Sequence, residues 1–430
     1  MIIGQLGLIL MGVADNIMVG RVGAPALAAC GVANALFFLF VVIGTGALAI
    51  ISPMVAGIAA GGKGDSPGRL LATARRTGWI ISAALMLLLS FLNLNFHWLG
   101  QSEEVTKLAI PYLFITIAGI PFMLDFWSYK QITDGLGYTQ IAMKITILGL
   151  LTNIFLNLFL IYGFGPIPAL GLNGAGISTL VSRIGMNLFL KYQVQHNHKF
   201  KQWIVPSPTT WKRIGLILKK GLPAGFQYFF ELAAFSGAAI VIGWMGTASL
   251  AAHQIAINLA SISYMAVSGI AGAGAIRVGQ YVGLKQPDNI LRAGITAAGI
   301  TLVIMFICAL IFLVFRDFLI HLYIDDPEVH AIAATLLLVA AVFQLSDGLQ
   351  VVGLGILRGL HDVNFPTVIT LIAYWVIGIP LGYMLAMHFD FGVLGIWLGL
   401  LAGLTASAIL LMWRFWNRVK QQFLAEEREL

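Results

Sequence analysis

Three acids stand where a charge is costly. Asp15, Glu231 and Asp347 each lie inside a long apolar run without a basic partner at their level, and an ionisable group near the bilayer centre is a functional-site candidate by default. Counting 1.5 Å per residue, Glu231 sits roughly 12 Å past Pro223 and Asp347 roughly 16 Å before Arg358, so their depths match near the midplane. Two carboxylates at one level cannot both stay charged cheaply: they share a proton or bind a cation such as Na⁺, unless both are simply neutral and hydrogen-bonded. Gln227 lies one turn from Glu231 on the same face, and Gln254 and Asn258 enter from the opposite side to a comparable level.

Asp15 marks a second cluster. It lies roughly 9 Å inside the boundary set by Arg21, and Asn157, with Asn153 one turn deeper, reaches a similar depth from the other end of its run. Thr179 and Ser178 sit just inside the end of the next segment. One carboxylate among neutral amide and hydroxyl groups suits a proton carrier or a ligand to a small hard cation. The Asn and Thr groups could equally be polar glue between helices. Asp125 has Lys130 about a turn and a half away, which is expected to neutralise it, and His253 reads as an interfacial residue. Tyr228, Phe229, Phe230, Phe343, Tyr374 and Trp375 lie beside the acids and either offer π-faces to an organic cation or pack against neighbours and lipid.

The elements that must carry these groups follow from composition. The chain has 430 residues, 59% hydrophobic and 10% charged, too apolar for an ordinary soluble protein. Cys30 and Cys308 lie in apolar runs and supply neither a disulfide framework nor a cysteine metal cluster. No phosphate loop, His-Glu-x-x-His or Gly-x-Ser-x-Gly motif is present, which argues against an enzyme and implies no cofactor. Twelve runs are long enough to span a bilayer: 1–20, 26–60, 70–98, 106–133, 139–163, 171–192, 214–243, 248–283, 291–316, 328–357, 364–388 and 392–414. Met1 to Val19 has no basic lead or cleavage pattern and reads as the first helix, not a signal peptide.

With the N-terminus inside, all but four of the 25 Lys and Arg fall on cytoplasmic flanks, Lys63 and Arg428 among them. Arg21, Lys107 and Arg316 lie outside with Glu103, Glu104, Asp317, Asp325, Asp326, Glu328 and Asp390, and Arg183 stands within the sixth segment. The net charge of +7 thus sets orientation, with both termini cytoplasmic, and needs no nucleic-acid partner. Gly20-Arg-Val-Gly23-Ala-Pro-Ala-Leu27-Ala-Ala29 aligns with Gly243-Trp-Met-Gly246-Thr-Ala-Ser-Leu250-Ala-Ala252. Within one residue of the same offset, Gly135-Leu136 falls on Gly359-Leu360 and Thr146 on Thr370. This predicts an all-α integral membrane protein of twelve helices in two pseudo-symmetric six-helix lobes, a parallel repeat with its axis along the membrane normal. The lobes are expected at 1–195 and 214–416, with an inter-lobe linker at 196–213 that holds Pro206 and Pro208, and a tail at 417–430.

Met11-Gly-Val-Ala-Asp15-Asn-Ile-Met-Val-Gly20, the stretch Pro223 to Glu231, Ala251-Ala-His-Gln-Ile-Ala-Ile-Asn258, and Gln344-Leu-Ser-Asp347 leading to Leu357-Arg-Gly-Leu360 together resemble the multidrug and toxic compound extrusion family, in its NorM-like bacterial branch. The resemblance runs over essentially the whole chain. It implies alternating access and Na⁺- or H⁺-coupled export of amphipathic or cationic organic compounds across the bacterial inner membrane by a monomer in membrane lipid. By position, Asp15, Asn153, Asn157 and Thr179 resemble the family's N-lobe cation or proton cluster. Glu231 and Asp347, with Gln254 and Asn258, resemble its C-lobe cation site, used for Na⁺ in this branch. Gln227, Tyr228, Phe343 and Tyr374 are expected to line a substrate cavity. Phe343 stands where relatives can have Tyr, Asp125 where an apolar residue is usual, and the chain starts later than typical members. A flippase of lipid-linked sugars, from the wider superfamily, is the alternative. It would need several cavity cations for a pyrophosphate, and the sequence offers Arg183.

Overall fold

A computed structural model of the protein describes residues 2–62, 64–163, 168–205 and 207–426. Met1, Lys63, Pro206 and Arg428, used above, lie outside them. Twelve long helices are formed among these residues: α1 (Ile2–Gly20), α2 (Ala24–Ala59), α3 (Pro67–Leu94), α4 (Glu103–Gly135), α5 (Thr139–Leu160), α6 (Gly171–His196), α7 (Trp211–Gly243), α8 (Thr247–Gly283), α9 (Pro287–Val314), α10 (Pro327–Gly359), α11 (Asn364–Met387) and α12 (Gly392–Glu426). They coincide with the twelve predicted runs to within a few residues at most ends. Eleven are long and apolar enough to cross a membrane by themselves. The exception is α6, whose 26 residues include Asn173, Ser178, Thr179, Ser182, Arg183 and Asn187. Other helices take up part of that polar content, through Thr179 to Asp15, Arg183 to the Thr116 carbonyl and Asn187 Nδ2 to Asp125, so burial within protein replaces apolarity toward lipid.

Three helices are interrupted where the sequence removes a backbone donor. α2 turns at Ala49 and Ile50, just before Pro53, whose ring would clash with the Ala49 carbonyl four residues back. α4 turns at Gly119, just before Pro121. In α11, Ile372–Gly378 widens to a π-helix ahead of Pro380.

The internal repeat reappears as packing. Gly23 and Gly246, paired in the alignment, both take positive φ, 149° and 121°, at the turns into α2 and α8. An added Cβ on Gly135 would stand 2.5 Å from the Ser52 carbonyl oxygen, and one on Gly359 would stand 2.7 Å from that of Ala275. Each glycine lets its helix end press against the matching helix of its own half. Thr146 and Thr370 are fully buried, and each hydroxyl donates to the carbonyl four residues earlier, Ala142 and Pro366.

Two compact units result: one of Ile3–Ala59 with Lys63–Gly225, the other of Ala60–Gly62 with Phe226–Leu430. In the first, the 197–210 segment lies along α3, with Gly68 N donating to the Trp203 carbonyl at 3.0 Å and the Thr73 and Thr209 hydroxyls 2.6 Å apart. In the second, α11 and α12 pack through Gly382 against Gly399 and Ala373 against Gly403, too close for any side chain at Gly399 or Gly403.

Candidate functional site

The N-lobe polar residues converge on one carboxylate. α1 carries Asp15, α5 Asn153 and Asn157, and α6 Thr179, and all four are buried. Asn157 Nδ2 donates to Asp15 Oδ1 at 2.6 Å and Thr179 Oγ1 to Asp15 Oδ2 at 2.8 Å. Asn153 Nδ2 donates to Thr179 Oγ1 at 3.2 Å, and its carbonyl accepts from Asn157 at 3.4 Å. The i, i+4 spacing on α5 explains the shared face. Arg183, one turn beyond Thr179 on α6, lies within electrostatic reach of Asp15. Its guanidinium is 4.8 Å from the Phe37 ring centroid, and Nη1 donates to the Thr116 carbonyl at 3.5 Å. Arg183 thus adds positive charge near Asp15 without an ion pair between them among the described residues, its own contacts being with Phe37 and Thr116.

In the second unit, α7 and α10 bring Glu231 and Asp347 together. Both are buried and lie within electrostatic reach of each other. Tyr264 of α8 and Tyr374 from the π segment of α11 share that field, and the Tyr374 hydroxyl donates to Gln350 Oε1 at 2.9 Å. Glu231 Oε2, Gln227 Nε2 and Gln350 Nε2 are buried with no hydrogen-bond partner among the described residues. Trp375 Nε1 donates to the Phe230 carbonyl at 3.1 Å, tying α11 to α7 one residue from Glu231. Arg358 is a correction. Expected to mark the inner boundary, it is buried with its guanidinium 5.2 Å from the Tyr228 ring centroid, within electrostatic reach of Glu231.

Other predicted residues separate from this pair. Gln254 and Asn258 are exposed on α8, where Gln254 Nε2 donates to Asn258 Oδ1 at 3.3 Å; the structure does not join them to the carboxylates. Phe343 is 3% exposed and packs edge-on to Phe235 and tilted to Trp397 inside the apolar core. Tyr228 is half-buried beneath Arg358. His253 is buried, not interfacial, and its Nδ1 accepts from Trp397 Nε1 at 3.2 Å.

Asp125 is held by a residue other than the one expected. Arg75 of α3 donates to both its oxygens, at 2.7 and 3.3 Å, and Asn187 Nδ2 of α6 to Oδ2 at 3.2 Å. Lys130 turns instead to Asp134, four residues on, at 2.7 Å. Sequence reasoning missed Arg75 as the partner of Asp125, and Tyr264 and Gln350 in the surroundings of Glu231 and Asp347, where Gln350 bonds Tyr374. Gln350 alone left a signal, three residues after Asp347 and hence on the same helical face.

This arrangement has relatives. The family profile described as MatE matches residues 1–159 and 223–384. The chain is 32% identical over 431 residues to the multidrug resistance protein MdtK of Proteus mirabilis, covering 96% of this chain and 93% of that one. It is 33% identical over 414 residues to the multidrug resistance protein NorM of Aliivibrio fischeri, covering 94% and 89%. Among solved structures, the eukaryotic MATE transporter AtDTX14 superposes with a TM-score of 0.88 at 20% identity, covering 100% of this chain and 96% of the other. A MATE protein in the bent conformation gives 0.88 at 20% identity, over 99% and 94%. At that identity the likeness speaks to the fold: twelve helices in two lobes. Profile and full-length relatives together establish that the chain is a multi-pass membrane protein of the MatE family, the multidrug and toxic compound extrusion transporters.

Proposed function

We propose that this transporter is a secondary active antiporter that exports amphipathic and cationic organic compounds in exchange for Na⁺ or H⁺ by alternating access. It would act as a monomer in the bacterial inner membrane, with both termini cytoplasmic. The observation that carries the reading is the buried Glu231 Oε2 left without a partner beside Asp347. A buried acceptor of that kind is costly to leave unmade, and a proton or a small hard cation would satisfy it. The Asp15 cluster would serve as the second coupling site, since its carboxylate can take a proton while Asn157 and Thr179 keep it in place. Full-length relatives named as multidrug resistance proteins support the substrate class.

The test imposes a Na⁺ gradient and a pH gradient separately on proteoliposomes loaded with ethidium. Transport is expected under one gradient and lost in Glu231→Gln. Undiminished gradient-driven transport in both Glu231→Gln and Asp347→Asn would refute the coupling role.

A further inference from the structure

Four guanidinium groups gather where α2 passes into α3 and the 197–210 segment leads into α7. Three are held by carboxylates: Arg69 by Asp65 at 3.0 Å, Arg213 by Asp65 at 2.6 Å, and Arg75 by Asp125 at 2.7 Å. Arg76 is exposed, and among the described residues no carboxylate pairs with it; its Nη1 makes a long, 3.5 Å bond to the Thr209 carbonyl. That bond leaves most of its five N–H donors directed outward.

Arg76 stands on the rim of a cavity of about 340 Å³ within the first unit, lined also by Trp79, Ile80, Thr209, Trp211 and Ile214. One wall is apolar, from Ile80 and the Trp79 ring, which is itself steadied edge-on by Phe122 at 6.5 Å. The rim is cationic and hydroxylic. Trp79 and Trp211 remain 46% and 79% exposed at the end of the helices where apolar sequence gives way to the polar linker. Exposed tryptophans at such a transition are the pattern of a membrane–water interface.

We propose that this groove between α3 and α7 is a binding site for an anionic phospholipid. The Arg76 fork would grip the phosphodiester, as guanidinium groups do in bidentate fashion, with the Thr209 and Thr210 region at its side. An acyl chain would lie along Trp79, Ile80 and Ile214. Charge decides the class of occupant: Arg76, with exposed Lys212 next to Trp211, repels an organic cation and favours a lipid of net negative charge over a zwitterionic one, whose ammonium offsets its phosphate. Basic pockets beside transmembrane helices are established devices for holding acidic headgroups.

The full chain in detergent is titrated with phosphatidylglycerol and, separately, phosphatidylcholine, and bound lipid is counted by native mass spectrometry. Phosphatidylglycerol is expected to bind the wild type more tightly. Arg76→Gln should weaken that binding about tenfold, the loss of one bidentate charge-assisted contact, and should weaken phosphatidylcholine less, because the choline ammonium already offsets its phosphate. Arg76→Lys, which keeps the charge but not the fork, should fall between, and Trp79→Ala should weaken both lipids. Equal phosphatidylglycerol binding by the wild type and both Arg76 variants overturns the proposal. So does displacement of the lipid by an equal concentration of inorganic phosphate, which would reveal a plain anion site.

Discussion

The two buried acid sites differ in how completely their polar atoms are matched. Both oxygens of Asp15 are hydrogen-bonded, and the orphan of that cluster is a single amide oxygen, Asn157 Oδ1. Around Glu231 and Asp347 a carboxylate oxygen and the amide nitrogens of Gln227 and Gln350 all lack partners among the described residues. Each such atom carries a penalty of about 1–3 kcal/mol. The first site is therefore assembled to hold its carboxylate still, whereas the second keeps an unpaired carboxylate oxygen that a bound cation or proton would relieve, beside two amide N–H groups that call for an acceptor. Unpaired polar groups of this kind point to function more than to structural glue.

That contrast breaks most visibly in transport. Glu231→Gln should lower gradient-driven drug movement by about two orders of magnitude, the size expected when about 3 kcal/mol of ion binding is removed. Its thermal unfolding temperature in detergent should stay level or rise, because the substitution deletes a buried acid without deleting a bond. A fall in unfolding temperature as large as that of an Asp15 variant would erase the distinction between the sites.

Asp15→Ala is the mirror case. It strands the Thr179 hydroxyl and leaves the Asn157 amide with only its long bond to Asn153, and should cost about 1–3 kcal/mol in unfolding measured by denaturant titration. Asp15→Asn should cost less, since Asn157 keeps an acceptor and only Thr179 must turn away. An Asp15→Ala protein as stable as the wild type would mean that the hydrogen-bonded set contributes nothing to the fold.

An effect no larger than that is expected at another buried acid, Asp125. Asp125→Ala leaves Arg75 without its partner, but Arg75 is about one-third exposed, so water offsets part of the loss and about 2 kcal/mol remains. A double-mutant cycle sharpens the assignment: coupling is expected between Asp125 and Arg75 and none between Asp125 and Lys130. The reverse pattern would restore the local pairing suggested by sequence spacing.

That reversal shows where sequence reading succeeds and where it stops. The Asp15 cluster was legible because Asn153 and Asn157 repeat at the helical period and because depth from a loop boundary is a simple count. Eleven of the helices were legible from apolar length, whereas α6, with its polar residues, was legible only from its length between loop signals. Long cationic side chains were not legible. Arg75, Arg183 and Arg358 each reach a group on another helix, and their spacing to Asp125, Asp15 and Glu231 in the chain carries no trace of it. The depth count also placed Gln254 and Asn258 beside the acids, since it fixes height along a helix and leaves the direction around it open. The π segment in α11 was equally silent, although the widening lies where Tyr374 turns its hydroxyl to Gln350.

Asp65 supplies the reference for the comparison, because it lies outside the membrane-spanning helices and is fully paired. Asp65 accepts from Arg213 Nε and Nη2 and from Arg69 Nη1, and those bonds hold its carboxyl below the usual carboxylate range, Arg213 chiefly. A depressed folded-state pKa means the bonds stabilise at neutral pH and are lost only as pH falls through that lowered value. The partners are about one-third exposed, so the effect is local, and it fastens the start of α7 to the loop before α3. Hydrogen exchange of residues 197–210, corrected for the intrinsic pH dependence, should thus stay protected down to the ordinary carboxylate range and loosen below it. Asp65→Asn should loosen the segment already at neutral pH without altering the unfolding temperature of either helical unit. Unchanged protection in that variant would show that the Gly68–Trp203 and Thr73–Thr209 contacts hold the segment alone, and that pairing an acid completely does not fix the backbone beside it.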